Sequence, residues 1–129
     1  MTKNDHTAFQ VSNMDASIRF YTDALGLKLL FRHVNEQQHE DFAFLELDGG
    51  NLELLQHLGA PFVKPEIKPP YCPHLALATG DMDATLRQFT QHGIPIVKGP
   101  LEIPGAERWV YVSDPDNNVI EYIQWLARK

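Results

Sequence analysis

Cysteine is nearly absent. The 129-residue chain carries one, Cys72, which excludes an internal disulfide and with it the stapled scaffold of a small secreted domain. Basic residues are also scarce: 11 Lys plus Arg stand against 17 Asp plus Glu, a formal charge of −6. A chain poor in positive charge lacks the electrostatic footprint by which proteins hold nucleic-acid backbones. No run of about 18 apolar residues occurs, so no membrane-spanning helix is expected. The opening Met-Thr-Lys-Asn-Asp-His lacks the apolar stretch of a secretory signal. What remains is ordinary globular composition, 43% hydrophobic and 22% charged, at a length that suits one domain. The expectation is a cytoplasmic protein with no nucleic-acid or membrane partner.

Order along the chain says more than composition. The run from His6, H-T-A-F-Q-V-S-N-M-D-A-S-I-R-F-Y-T, is echoed from His74 by H-L-A-L-A-T-G-D-M-D-A-T-L-R-Q-F-T, an offset of 68 residues. Carried forward without a gap, that offset sets Asp48 on Asp116, Glu53 on Glu121 and Gln56 on Gln124. Residues 1–61 laid on 69–129 give 11 identities, where ordinary amino-acid usage gives roughly four by chance. The matches fall at corresponding places in both halves, at a strand start, along a helix and near the end of the unit.

Each half reads as the same series of elements. In the first, 6–11 is a strand, and Asn13 caps a helix whose apolar positions Met14, Ile18, Tyr21 and Leu25 follow helical spacing, ending at Gly26. Strands follow at 27–31, 42–47 and 51–56, the last pair joined by Asp48-Gly49-Gly50. In the second, a strand at 74–79 leads to a helix with Asp83 near its start, carrying Met82, Leu86 and Phe89 and ending at Gly93. Strands then lie near 96–98, 109–113 and 119–124, with Asp114-Pro115-Asp116-Asn117-Asn118 as the last turn. The fold class is α+β, a single domain over 1–129 built of two tandem βαβββ modules at 1–56 and 74–129. Pro61, Pro65, Pro69, Pro70 and Pro73 mark 57–73 as an extended connector within it. Pro100 to Glu107, with Pro104-Gly105-Ala106, reads as a mobile loop that could act as a lid.

Four side chains that bind metals occupy equivalent places: His6 and His74 at the first strand of each module, Glu53 and Glu121 in the last. Leu52-Glu53-Leu54-Leu55 and Ile120-Glu121-Tyr122-Ile123 are apolar runs of the buried-strand kind, where an ionised carboxylate is costly unless paired or metal-bound. Taken singly, each histidine or glutamate has a plainer reading as a surface or hydrogen-bonded residue. Two carboxylate intrusions 68 residues apart ask for one cause, and a divalent cation supplies it, since imidazole and carboxylate together suit zinc, nickel, cobalt, manganese or iron. His33, His39, His57 and His92 have no histidine partner in the repeat and read as surface residues. Phe42, Phe44, Trp109 and Tyr111 lie in matching strands, as core packing or as lining of a cleft. Arg108 is a candidate for an anionic substrate group, against the plainer reading of a solvated charge.

At these residues the sequence resembles the vicinal-oxygen-chelate superfamily, which holds glyoxalase I, methylmalonyl-CoA epimerase, extradiol dioxygenases, fosfomycin-resistance enzymes and bleomycin-binding proteins. Ser17-Ile18-Arg19-Phe20-Tyr21 with Leu25-Gly26-Leu27 resembles its helix motif, and Asp114-Pro115-Asp116-Asn117-Asn118 before Ile120-Glu121 resembles its ending, with Asn117 where glycine is usual. The resemblance implies paired βαβββ modules whose mixed sheets curve into a cleft, and a homodimer in which a module of each chain can contribute ligands to one metal. The set His6, Glu53, His74 and Glu121 is similar to that of bacterial glyoxalase I. It implies a metal-dependent lyase or isomerase that moves a proton through a metal-stabilised enediolate on a vicinal-oxygen substrate such as a methylglyoxal–thiol hemithioacetal. Glu121 and Glu53 are the candidate bases. Glyoxalase I commonly places an arginine and an asparagine, which help hold glutathione, where this chain has Gln10 and His57. Those two residues and Arg108 are the candidate substrate contacts, and the thiol or other vicinal-oxygen ligand stays open. The alternatives are a non-catalytic drug- or metabolite-binding protein of the same fold and a related epimerase or dioxygenase.

Overall fold

A computed structural model describes residues 1–127, so Arg128 and Lys129, the last two residues of the expected second module, lie outside the described residues. The chain divides into two compact units at the junction of Pro65 and Glu66, inside the proline-rich stretch.

The first unit holds β1 (His6–Gln10), α1 (Met14–Arg19), β2 (Leu29–Asn35), β3 (Glu40–Leu45) and β4 (Asn51–His57). Its four-stranded sheet has the order β1-β4-β3-β2, with β1 parallel to β4 and the other pairs antiparallel. The Asn13 side chain caps α1 by accepting from the Ala16 N–H at 3.1 Å. The first free N–H of the helix, at Met14, donates to Gln56 Oε1 of β4 at 2.8 Å. Helical spacing predicted one α-helix as far as Leu25, but after Arg19 the chain widens into a π-helical turn at Phe20–Ala24. The Thr22 hydroxyl donates to the Ile18 carbonyl at 2.7 Å, taking the acceptor that the Thr22 N–H would use in a regular helix. Met14, Ser17, Tyr21 and Leu25 are buried beside Ala43, Leu45, Leu52 and Leu54. The sheet thus covers its core on the helix side and leaves Phe31, Phe42 and Phe44 on the other, with Phe31 stacked on Phe44 at 5.1 Å. On β2, Arg32 forks onto the buried Asp41 carboxylate at 2.7 and 3.1 Å and reaches Asp15 of α1 at 2.6 Å. The hydrogen bond from Arg32 holds the Asp15 carboxyl below the usual carboxylate range.

The second unit repeats the plan with β5 (Leu75–Ala78), α2 (Met82–His92), β6 (Ile96–Ile103), β7 (Glu107–Ser113) and β8 (Val119–Trp125). Its sheet order is β5-β8-β7-β6, with β5 parallel to β8. Asp81 caps α2 and Gly93, at φ +65°, ends it. Gln124 repeats the clamp of Gln56, accepting from the Met82 N–H at 2.9 Å. β6 is longer than the sequence indicated, because Gly99-Pro100 looks like a strand breaker. On an edge strand proline is tolerated, and Gly99 at φ +106° makes the bulge, where an added Cβ would meet the Trp109 carbonyl oxygen at 3.1 Å. The expected lid at 100–107 is therefore corrected. It is the end of β6, a tight turn and the start of β7, fastened by Ala106 N–H to the Ile103 carbonyl at 3.0 Å and by Leu126 N–H to the Ala106 carbonyl at 2.8 Å. In the β7–β8 turn, Asp114 Oδ1 accepts from the Asp116 and Asn118 N–H groups at 2.9 and 2.8 Å. Asn117 takes the left-handed φ of +65°, which asparagine tolerates.

Tyr122 of β8 packs against Phe89 of α2 at 5.1 Å, and burial pushes its phenol up to about 12. Between about 10 and that value the unfolded chain has lost this proton while the folded chain keeps it. Stability is therefore expected to fall as pH rises through that window, by roughly 2 to 3 kcal/mol. Urea unfolding across the window checks it: Tyr122→Phe should flatten the slope, and an unchanged slope would refute the assignment.

Candidate metal centre

Strand register places a histidine beside a glutamate in each unit. In the first, β1 runs parallel to β4 with Ala8 opposite Glu53. His6 lies two residues before Ala8 and so on the same face. Its Nε2 stands 3.4 Å from Glu53 Oε1. In the second, Ala76 is opposite Glu121, His74 again lies two residues earlier, and its Nε2 is 2.8 Å from Glu121 Oε1. An alanine occupies the position beside the glutamate both times, so only a methyl group stands there. The residue across from the glutamate on the antiparallel side is Phe44 in one unit and Tyr111 in the other. Each ring meets its histidine edge-on, at 5.0 and 5.5 Å.

The other ring nitrogen is engaged as well. His6 Nδ1 is 2.7 Å from Asp5 Oδ2, and His74 Nδ1 is 3.0 Å from the Tyr71 carbonyl, whose residue is held at φ +68°. Each imidazole thus has an acceptor within reach of both ring nitrogens, and the Cys72 thiol also lies 3.9 Å from His74 Nδ1, whereas a neutral imidazole has one N–H to give. A cation bound at Nε2 would leave the single N–H for Nδ1. An outer acceptor within reach of Nδ1 is the kind of contact that orients metal-ligating histidines. The carboxylates are sheltered, with side-chain exposures of 14% for Glu53 and 15% for Glu121. The donor set therefore fits a divalent cation of the zinc to iron group. Among the described residues no group of three or more His, Cys, Asp or Glu side chains that could hold a metal ion is present. Burial, and then the charge of Glu121, raise the Tyr111 phenol above its ordinary value.

The remaining candidates fall differently. Gln10 follows His6 and Ala8 on the same face of β1, and His57 follows Glu53 and Leu55 on the same face of β4. His57 Nδ1 accepts from the Gly59 N–H at 3.2 Å. Arg108 is not brought to the His74–Glu121 pair. It alternates with Trp109 and Tyr111 on β7, and on the opposite face it lies 3.3 Å from Asp83 of α2 and 3.6 Å from Glu102. Sequence reasoning missed Asp5 and Tyr71. Asp5 carried only its adjacency to His6, and Tyr71 acts through a main-chain carbonyl that no side-chain pattern reveals. The alanines were visible in the repeat, as the match of Ala8 to Ala76.

Two parallel-plus-antiparallel sheets, each with a helix on one face and a His–Glu pair on the other, define a duplicated βαβββ protein. Residues 3–122 match the Glyoxalase/Bleomycin resistance protein/Dioxygenase superfamily, and the chain belongs to it. A probable lactoylglutathione lyase of Vibrio cholerae is 32% identical over 124 residues, 92% of this chain and 88% of that protein. The lactoylglutathione lyase of Haemophilus influenzae is 32% identical over 130 residues, 96% of this chain and 93% of that one. The trypanothione-dependent glyoxalase I of Leishmania major superposes with a TM-score of 0.77 at 26% identity, covering 96% of this chain and 87% of that structure. Among the described residues no helix is long and apolar enough to cross a membrane.

Proposed function

We propose that the protein is a metal-dependent lyase and isomerase of the glyoxalase I type, acting on the hemithioacetal of methylglyoxal with a thiol. The observation that carries this reading is the repeated pair, His6 with Glu53 and His74 with Glu121, each imidazole held outward at Nδ1 and turned to its carboxylate at Nε2. The lactoylglutathione lyases among the relatives support it. In this reading the first pair of one chain and the second pair of another complete one cation site, so that a homodimer holds two. The cation, when bound, supplies positive charge to two adjacent substrate oxygens and lowers the cost of removing the proton beside a carbonyl. Glu121 takes that proton from one carbon and returns it to its neighbour, with Glu53 as its counterpart on the other side.

Gln10 and His57 favour a thiol other than glutathione, since an arginine at the first position would add a charge-assisted bond of roughly 1.5 to 3 kcal/mol to a carboxylate. Metal analysis of the purified protein, followed by an assay with methylglyoxal and glutathione, tests the reading. About one cation per chain with turnover supports it, and metal with turnover only on another thiol adduct selects that thiol. Protein that takes up no cation would replace the reading with a binding module of the same fold.

A further inference from the structure

The two half-sites differ in what competes for the imidazole proton. At His74 the contest is between the Glu121 carboxylate at 2.8 Å on Nε2 and, on Nδ1, a neutral carbonyl, that of Tyr71, at 3.0 Å, with the Cys72 thiol 3.9 Å from the same Nδ1 and able to donate to it. Charge and distance both place the proton on Nε2, against Glu121. At His6 the outer acceptor is itself a carboxylate, Asp5, at 2.7 Å, while Glu53 stands off at 3.4 Å. Here the shorter charge-assisted bond places the proton on Nδ1 and leaves the Nε2 lone pair facing Glu53 unoccupied.

Asp5 can hold this position although its side chain is 89% exposed, because its main chain is strapped down. The Asp5 carbonyl accepts from the Asn51 N–H of β4 at 2.9 Å, and the neighbouring Asn4 side chain donates to the Gly49 carbonyl at 3.1 Å.

We propose that Asp5 is a positioning residue that pre-sets His6 in the metal-binding tautomer, making the His6–Glu53 pair the half-site that captures a divalent cation first. The inference rests on the metal reading above. The second half-site must first move a proton off Nε2 of His74, whereas the first is ready. Asp5 touches neither the cation nor the substrate and acts only through His6.

Long-range proton–nitrogen NMR on the metal-free full chain, at a pH where both rings are neutral, reads the tautomers directly. His6 is expected as the Nδ1–H form and His74 as the Nε2–H form. Asp5→Ala should move His6 to the Nε2–H form, now bonded to Glu53, while Asp5→Asn, which keeps an acceptor oxygen, should retain much of the Nδ1–H form. Zinc competition against a chromophoric chelator should show a loss of about 10- to 100-fold in affinity for Asp5→Ala, with Asp5→Asn between it and the parent. An unchanged His6 tautomer in Asp5→Ala, or a zinc affinity within about twofold of the parent when the expected loss is at least tenfold, would overturn the inference. Should the parent take up no zinc, the metal reading fails separately, and the tautomer of the metal-free chain still decides the role of Asp5.

Discussion

Glu121→Gln is expected to lower isomerase turnover by about 10²- to 10⁴-fold, the usual contribution of a positioned general base. The exchange is nearly isosteric and removes the negative charge that faces His74 Nε2 at 2.8 Å. The amide keeps an oxygen to accept a hydrogen bond, but it cannot take a proton from carbon near neutral pH. Glu121 sits on the sheet face away from α2, so the core of Val110, Val112, Ile120 and Phe89 is untouched, and circular dichroism and the unfolding midpoint should match the parent. Steady-state turnover on the substrate found active for the parent is the measurement. Undiminished turnover would remove Glu121 from the mechanism.

Mixing two inactive variants should restore activity. If one cation site takes Glu53 from one chain and Glu121 from its partner, a heterodimer of Glu53→Gln with Glu121→Gln has one site carrying both substitutions and one carrying neither. Random reassortment makes about half of the dimers mixed, each with one intact site of two, so about a quarter of the parent activity should return. Each variant alone should stay near its own floor. A mixture that never exceeds the sum of its components, after exchange has been shown by mass, would confine each site to a single chain.

Much of this was legible in the sequence because duplication repeats what matters. The match of Gln56 to Gln124 is a pair of clamps on helix N-termini, and that of Asp15 to Asp83 is a pair of helix carboxylates engaged by arginines from strands. The register of His6 to Glu53 was not legible, because it depends on β1 lying parallel to β4 with Ala8 opposite Glu53. Other features were hidden for physical reasons. Gly99-Pro100 is a breaker in isolation and a bulge on an edge strand, a distinction that only the neighbouring strand decides. The π-helical turn after Arg19 keeps nearly the same apolar spacing as an α-helix, so periodicity could not separate them. Arg108 read as a substrate contact because its charge is visible in the sequence while the face of β7 it occupies is set by the pairing with β8.

The alanine that stands beside each glutamate carries a consequence for how such a protein can arise. Since the His–Glu spacing is written in the pairing of two strands inside one unit, a chain of half this length would already own a complete pair, and two such chains related by a twofold axis would present two histidines and two glutamates with no further invention. Fusing the copies into one chain releases them from identity. Asp5 against the Tyr71 carbonyl, and Phe44 against Tyr111, are places where the two copies of one motif now differ.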